Sequence, residues 1–178
     1  MAQGLVFCAL IFEPNTSKSS KKIILSGINL CEIKNEEDKQ VSVFTTNLVR
    51  MKIIGLIPAR YASVRFAGKP LCQIAGKTMI ERVYANATAA KSLAGVWVAT
   101  DDERIYQHVE QFGGRVVMTS EQHRSGTDRC AEAALSVAPD AGVVVNIQGD
   151  EPFLHPEQID ELTGLFTSKD IEIGTLVR

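Results

Sequence analysis

The chain has 178 residues, 45% of them hydrophobic and 22% charged, and its formal net charge is −2. That is the make-up of one ordinary globular domain, and it gives no general attraction for nucleic acid or for an anionic membrane. No apolar run is long enough to span a bilayer, and the four cysteines (Cys8, Cys31, Cys72, Cys130) are far apart and hold no C-x-x-C pair, which argues against zinc or a disulfide framework and fits a reducing compartment.

The chain changes character at Met51. Residues 1–50 carry an apolar patch (Gly4 to Phe12), a Ser/Lys stretch (Ser17 to Lys22) and an acidic cluster (Glu32, Glu36, Glu37, Asp38). The patch has the character of a signal-peptide core but lacks a preceding positive charge and a convincing cleavage site. Residues 1–50 therefore read as a poorly ordered leader or a mis-annotated start, with Met51 as the native first residue, and 51–178 as the folded domain.

From Met51 onward strands and helices alternate. Ile53–Ile57 reads as a buried strand ending at Pro58. Thr78 to Lys91 has apolar residues at helical spacing (Met79, Ile80, Val83, Tyr84, Ala87). Val96–Ala99 predicts a second strand. A helix follows from Asp102 to Phe112, capped by Asp101 or Asp102 and ended by Gly113-Gly114. Arg115–Met118 predicts a third strand, and Thr127 to Ala138 a helix with Cys130, Ala133, Ala134 and Val137 inward. Val143–Ile147 is apolar enough for burial on both faces. Pro156 to Phe166 predicts a last helix with Pro156 near its first position. Strands joined by crossover helices imply a mostly parallel sheet covered on both sides. Ligands in such folds sit beyond the carboxyl ends of the strands. The loops Pro58–Pro70, Thr100–Asp102, Thr119–Gly126 and Gln148–Pro152 all follow strands, so all should open on one edge.

Three of these loops have chemistry. The first holds Arg60, Arg65 and Lys69 among small residues (Ala59, Ala62, Ala67, Gly68). A nucleoside triphosphate carries about three to four negative charges, and guanidinium forks, an ammonium and close backbone N–H groups together can compete with water for it. Neither a P-loop nor a G-x-G-x-x-G fingerprint is present. A solvated basic loop is the competing reading. Gln148-Gly149-Asp150-Glu151-Pro152 follows the most apolar strand. Asp150 is a candidate Mg²⁺ ligand, since Mg²⁺ takes one or two carboxylates plus phosphate oxygens and water; a plain polar turn is the alternative. Ser125, Gly126 and Thr127 precede a helix, where free N–H groups can meet an anion or where Ser125 or Thr127 simply caps. His123 sits in the same loop and reads as solvated. His108 and His155 lack metal-ligand spacing. Trp97 and Tyr84 read as core.

Together IPARYASVRFAGKPL, VATDDERI, MTSEQHRSGTDR and VNIQGDEP, in this order and spacing, resemble the 3-deoxy-manno-octulosonate cytidylyltransferases, also called CMP-Kdo synthetases. The resemblance covers Met51 to Arg178. It implies a three-layer, Rossmann-like nucleotidyltransferase fold. It also implies an enzyme that transfers CMP from CTP to Kdo, releasing diphosphate, in the cytoplasm for lipopolysaccharide biosynthesis. By the same resemblance Arg60 and Lys69 would hold the CTP phosphates, Ala59 and Ser63 would line that loop, and Ser125, Gly126, Thr127, Arg129 and Gln148 would lie at the nucleotide. Asp150 would bind Mg²⁺. Arg60, Lys69 and Asp150 would carry the catalysis. CTP and Kdo are the partners implied, with no nucleic acid and no membrane.

The chain departs from the family pattern in two ways. Val64, Phe66 and Ala67 stand where the family reads Thr, Leu and Pro, which removes a hydroxyl and a stiff turn. The family's enzyme also extends well past the counterpart of Arg178. The resemblance thus implies a C-terminally truncated domain lacking a second Mg²⁺ carboxylate, most sugar contacts and much of the family's homodimer surface, and expected to be weak or inactive alone. A cytidylyltransferase for a sialic-acid-like sugar and a non-catalytic nucleotide-binding fragment are the alternatives.

Overall fold

Apolar runs of five to seven residues are too short to bury themselves as helices, and in this protein they pair side by side. A computed structural model describes residues 5–11, 51–62, 66–167, 171 and 173–177. In chain order the elements are β1 (Leu5–Ile11), β2 (Ile53–Ala59), a 3-10 turn (Lys69–Leu71), the short strands β3 (Gln73–Ile74) and β4 (Lys77–Thr78), and α1 (Met79–Thr88). Then come β5 (Gly95–Thr100), α2 (Glu103–Gln111), β6 (Val116–Met118), α3 (Gly126–Val137), β7 (Val143–Ile147), α4 (Pro156–Gly164), a second 3-10 turn (Leu165–Thr167) and β8 (Ile173–Val177).

The main sheet has the order β6-β5-β2-β7-β1-β8. Its first four strands are mutually parallel, as the alternation of strands and helices predicts. The other two are added antiparallel, β1 against β7 and β8 against β1. The sequence reading assigns no strand to residues 1–50, yet Leu5–Ile11 pairs with β7 from Phe7↔Ile147 to Ile11↔Val143. Its continuous apolar run, LVFCALI, suits a central strand, and β7 is buried at every position, so its second edge needs a partner of that kind. The tiny β3–β4 hairpin was likewise not read from sequence; two residues per strand leave no periodicity to detect.

Helices cover both faces. Ile80, Val83 and Ala87 of α1, Ile105 and Val109 of α2, and Ile159 and Leu162 of α4 pack on one side with Ile57, Val96, Val98, Val143, Val145 and Ile147. Cys130, Ala133 and Ala134 of α3 pack on the other with Ile54, Leu56, Ala99 and Val144. The small residues of α3 let its axis lie close to the sheet. Each buried Ile, Leu or Val stabilises by about 1.5–3 kcal/mol. The helix starts follow the expected chemistry. Thr78 Oγ1 accepts from the Glu81 N–H, Asp102 from Arg104 and Ser125 from Asp128, and Pro156 opens α4.

The sequence suggests that the strand stops at Pro58, but β2 continues to Ala59. Pairing of β2 with β7 ends at Leu56↔Asn146, while pairing with β5 runs on to Ala59↔Thr100. Pro58 thus lies where β2 has one neighbour, the place where a strand tolerates a missing N–H. Beyond this point the β2–β7 ladder stops, between the two strands where the chain reverses its direction of strand addition.

Candidate nucleotide-binding site

At the carboxyl ends of β2 and β7 lies a cleft of about 250 Å³ lined by Pro58, Ala59, Arg60, Lys69, Pro70, Gly126, Gln148, Gly149 and Asp150. Three of the four loops expected to share an edge contribute to it: those after β2, β6 and β7. A Cβ at Gly149 would stand 3.0 Å from the Pro58 carbonyl oxygen, so a glycine here is what lets the two loop backbones approach. That approach brings Lys69 and Asp150, 81 residues apart in sequence, into an ion pair, Lys69 Nζ to Asp150 Oδ2 at 2.6 Å.

Arg60 lies at the same cleft, but its guanidinium is already engaged. It donates to the main-chain carbonyl of His123 and, at 3.5 Å, to that of Arg124, and its Nε is buried without a described partner. Arg60 therefore bridges the loops after β2 and β6. The second of these loops is folded onto α3 by Glu132. Its carboxylate accepts from the Ser120 N–H at 3.1 Å and pairs with the His123 ring. The hydrogen bond from His123 first, and that from Ser120 next, hold the Glu132 carboxyl below its ordinary range. His123 is accordingly a half-buried tether, not the solvated residue its lone position in sequence suggests.

The remaining predicted residues divide. Ala59, Gly126 and Gln148 line the cleft. Ser125 caps α3 and Thr127 is exposed in its first turn. Ser63, like Arg65, lies outside the described residues. Arg129 does not line the cleft. It is fully buried one turn into α3, with Nη2 on Asp101 and Nη1 on the Thr119 hydroxyl. Thr119 in turn donates to the Thr100 carbonyl at 3.0 Å. The carboxyl ends of β5 and β6 and the start of α3 are thereby tied together. Of the two candidate caps of α2, Asp102 takes the role; Asp101 is the counter-ion of Arg129. Glu132 and Asp101 carry no spacing signal, because their partners lie on other elements.

The donor set can be tested against Mg²⁺. Asp150 is the one carboxylate among the described cleft residues, and no described group of three or more His, Cys, Asp or Glu could hold an ion by itself. Mg²⁺ binds through one or two carboxylates together with substrate phosphates and water. The residues therefore fit a Mg²⁺ ion bound jointly with a nucleotide.

A mostly parallel sheet with a basic loop and a carboxylate meeting beyond its carboxyl edge defines an α/β protein with a candidate site for a nucleotide. Comparison with known proteins narrows this. The profile of the family described as Cytidylyltransferase matches residues 54–169, and the chain belongs to that family. The 3-deoxy-manno-octulosonate cytidylyltransferase of Parabacteroides distasonis is 57% identical over 128 residues, covering 72% of this chain and 50% of the relative. That of Bacteroides thetaiotaomicron is 54% identical over the same length. The chain spans about half the length of the curated relatives it matches. Among solved structures, a CMP:2-keto-3-deoxy-manno-octonic acid synthetase complexed with CTP superposes with a TM-score of 0.64 and 45% identity, over 67% of this chain and 49% of that one. A cytidylyltransferase from Leptospira borgpetersenii, 24% identical with a TM-score of 0.58 over 66% of this chain and 49% of that one, shares the fold. No described helix is long and apolar enough to cross a membrane.

Proposed function

We propose that this chain carries the CTP site of an enzyme that transfers CMP from CTP to 3-deoxy-manno-octulosonate. The reaction joins the anomeric oxygen of the sugar to the α-phosphorus and breaks the bond from that phosphorus to the bridging oxygen. Diphosphate leaves, and the hydroxyl proton passes to solvent. The names and identities of the relatives support the substrate pair, and the CTP complex of the 45% identical structure supports the nucleotide.

The observation that carries the reading is the meeting of Lys69 and Asp150 at the cleft. Cation and carboxylate are the two charges that a metal-bound triphosphate needs, and each is held here by the other until a ligand replaces it. In this reading Lys69 moves onto phosphate oxygens and stabilises charge growing on the leaving diphosphate. Arg60, released from the His123 and Arg124 carbonyls, adds a guanidinium fork. The first N–H groups of α3, at Gly126 and Thr127, offer further donors, and Ser125 stands at the same helix end. Gln148 supplies an amide at the opposite wall. Asp150 is the carboxylate for Mg²⁺. When bound, Mg²⁺ neutralises phosphate charge and favours ionisation of the attacking hydroxyl.

Calorimetric titration with CTP, with and without Mg²⁺, followed by an assay of CMP–sugar formation on a panel of acidic sugars, tests the proposal. CTP binding strengthened by Mg²⁺, and Kdo preferred over sialic acid, are expected. Binding of purine triphosphates as tight as CTP, or preference for a nine-carbon sugar, would overturn the nucleotide or the sugar assignment respectively.

A further inference from the structure

The loop that carries the cations has two described ends, Arg60–Ala62 and Phe66–Lys69, closed by a hydrogen bond from the Gly68 N–H to the Tyr61 carbonyl at 2.9 Å. The Tyr61 ring fills the space beside Gly68. A Cβ at Gly68 would lie 3.1 Å from the ring, and Gly68 has φ +71°, so position 68 is restricted to glycine by both space and backbone. Over the Tyr61 ring lies the Arg104 guanidinium, its central carbon 3.3 Å from the ring centroid. Arg104 comes from a different element, the first turn of α2, and its orientation is fixed by two parallel bonds to Asp102, Nε to Oδ1 at 2.9 Å and Nη2 to Oδ2 at 2.5 Å. Asp102 is itself fixed: it caps α2 and donates its N–H to Thr100 Oγ1 at 3.2 Å, at the end of β5.

We infer that Arg104 is a positioning residue for the phosphate-binding loop. It acts through Tyr61 and Gly68 on Lys69, and it does not touch the nucleotide. The inference rests on the CTP reading of the cleft. A surface arginine bound only to a neighbouring aspartate would contribute little. Here the bidentate pair sets the guanidinium plane, the plane stacks on an aromatic face, and that ring holds the turn one residue ahead of Lys69. Lysine cannot replace it, because an ammonium neither makes the planar fork to Asp102 nor stacks as a flat plate. The fastening links the end of β5 to the loop that presents Lys69 from a 3-10 turn at the cleft.

Two measurements on the 178-residue chain test this. The first, made without nucleotide, is amide exchange at Gly68 by NMR. The second is the CTP dissociation constant. An exposed cation–π contact corresponds to about two- to fivefold in an equilibrium. Arg104→Ala and Arg104→Lys should therefore each speed Gly68 exchange and weaken CTP binding by about that factor, with the unfolding midpoint little changed. Tyr61→Phe, which keeps the ring, should resemble the unsubstituted chain in both. Unchanged Gly68 exchange in Arg104→Ala overturns the positioning role, and if CTP binding still weakens, Arg104 meets the nucleotide directly. Faster exchange in a chain that binds no CTP at all upholds the loop fastening but removes the nucleotide function from it.

Discussion

Two ion pairs at the carboxyl edge of the sheet have the same chemistry and opposite roles. Lys69–Asp150 stands at the mouth of the cleft, its side chains 39% and 50% exposed. Arg129–Asp101 stands away from the cleft lining, its side chains 0% and 18% exposed. Solvated pairs contribute about 0–1 kcal/mol, so water or a ligand can replace either partner at little cost. Taking one partner from a buried pair costs about 3–5 kcal/mol, because the other charge is left without compensation. The first pair can therefore be opened at little cost, and the second ties the carboxyl ends of β5 and β6 to the start of α3. Both pairs join a cation to an aspartate, and burial is the larger difference between them.

The largest effect should come from the buried pair. Arg129→Met should lower unfolding stability by about 3–5 kcal/mol in urea titrations. A loss below about 1 kcal/mol would place it with the solvated pairs and erase the contrast. Next is the open pair. Lys69→Ala should change stability by less than about 1 kcal/mol. It should nevertheless weaken CTP binding by about tenfold to a hundredfold, the value of a charged hydrogen bond to phosphate. Asp150→Asn should also fold normally, and calorimetry should show that Mg²⁺ no longer strengthens CTP binding; a retained Mg²⁺ effect would move the metal to another carboxylate.

A smaller effect sharpens the comparison at the Glu132–His123 tether, which lies between the two extremes. The folded-state pKa of Glu132 is depressed, by the His123 hydrogen bond above all. Its contribution is therefore fully present above the ordinary carboxylate pKa and is lost as the pH falls through the depressed value. Glu132→Gln should remove part of the acid-side loss of stability, seen as a flatter dependence of the urea midpoint on pH below about 4.5. The smallest test concerns burial itself. Desolvation pushes the Cys130 thiol up to about 12, so Cys130 should resist alkylation at pH 8, and the half-buried Cys72 should react before it.

Much of the parallel core was legible because its signals are local. Val143–Ile147 is apolar at every position, and the structure returns the same five residues as β7. Ile80, Val83 and Ala87 repeat at helical spacing, and all three are buried. The gathering of Lys69, Gln148 and Gly126 at one cleft followed from their placement after parallel strands. The rest was hidden for physical reasons. β1 pairs across more than 130 residues with β7, and an isolated apolar run near a chain start reads equally well as a targeting segment. Arg129 sits among donors and small residues in the sequence, as a ligand-binding residue would, and its burial against Asp101 has no signal there.

The order of residues by itself determined the four parallel strands and the helices between them, and that the loops bearing cations and carboxylates face one edge, because periodicity and the alternation of strand and helix can be read along the chain. The tertiary structure alone decided which charge meets which. Lys69 with Asp150, Arg129 with Asp101 and Arg104 with Tyr61 are contacts across 81, 28 and 43 residues. Such pairings depend on distances and solvent exclusion that arise only when the sheet has formed.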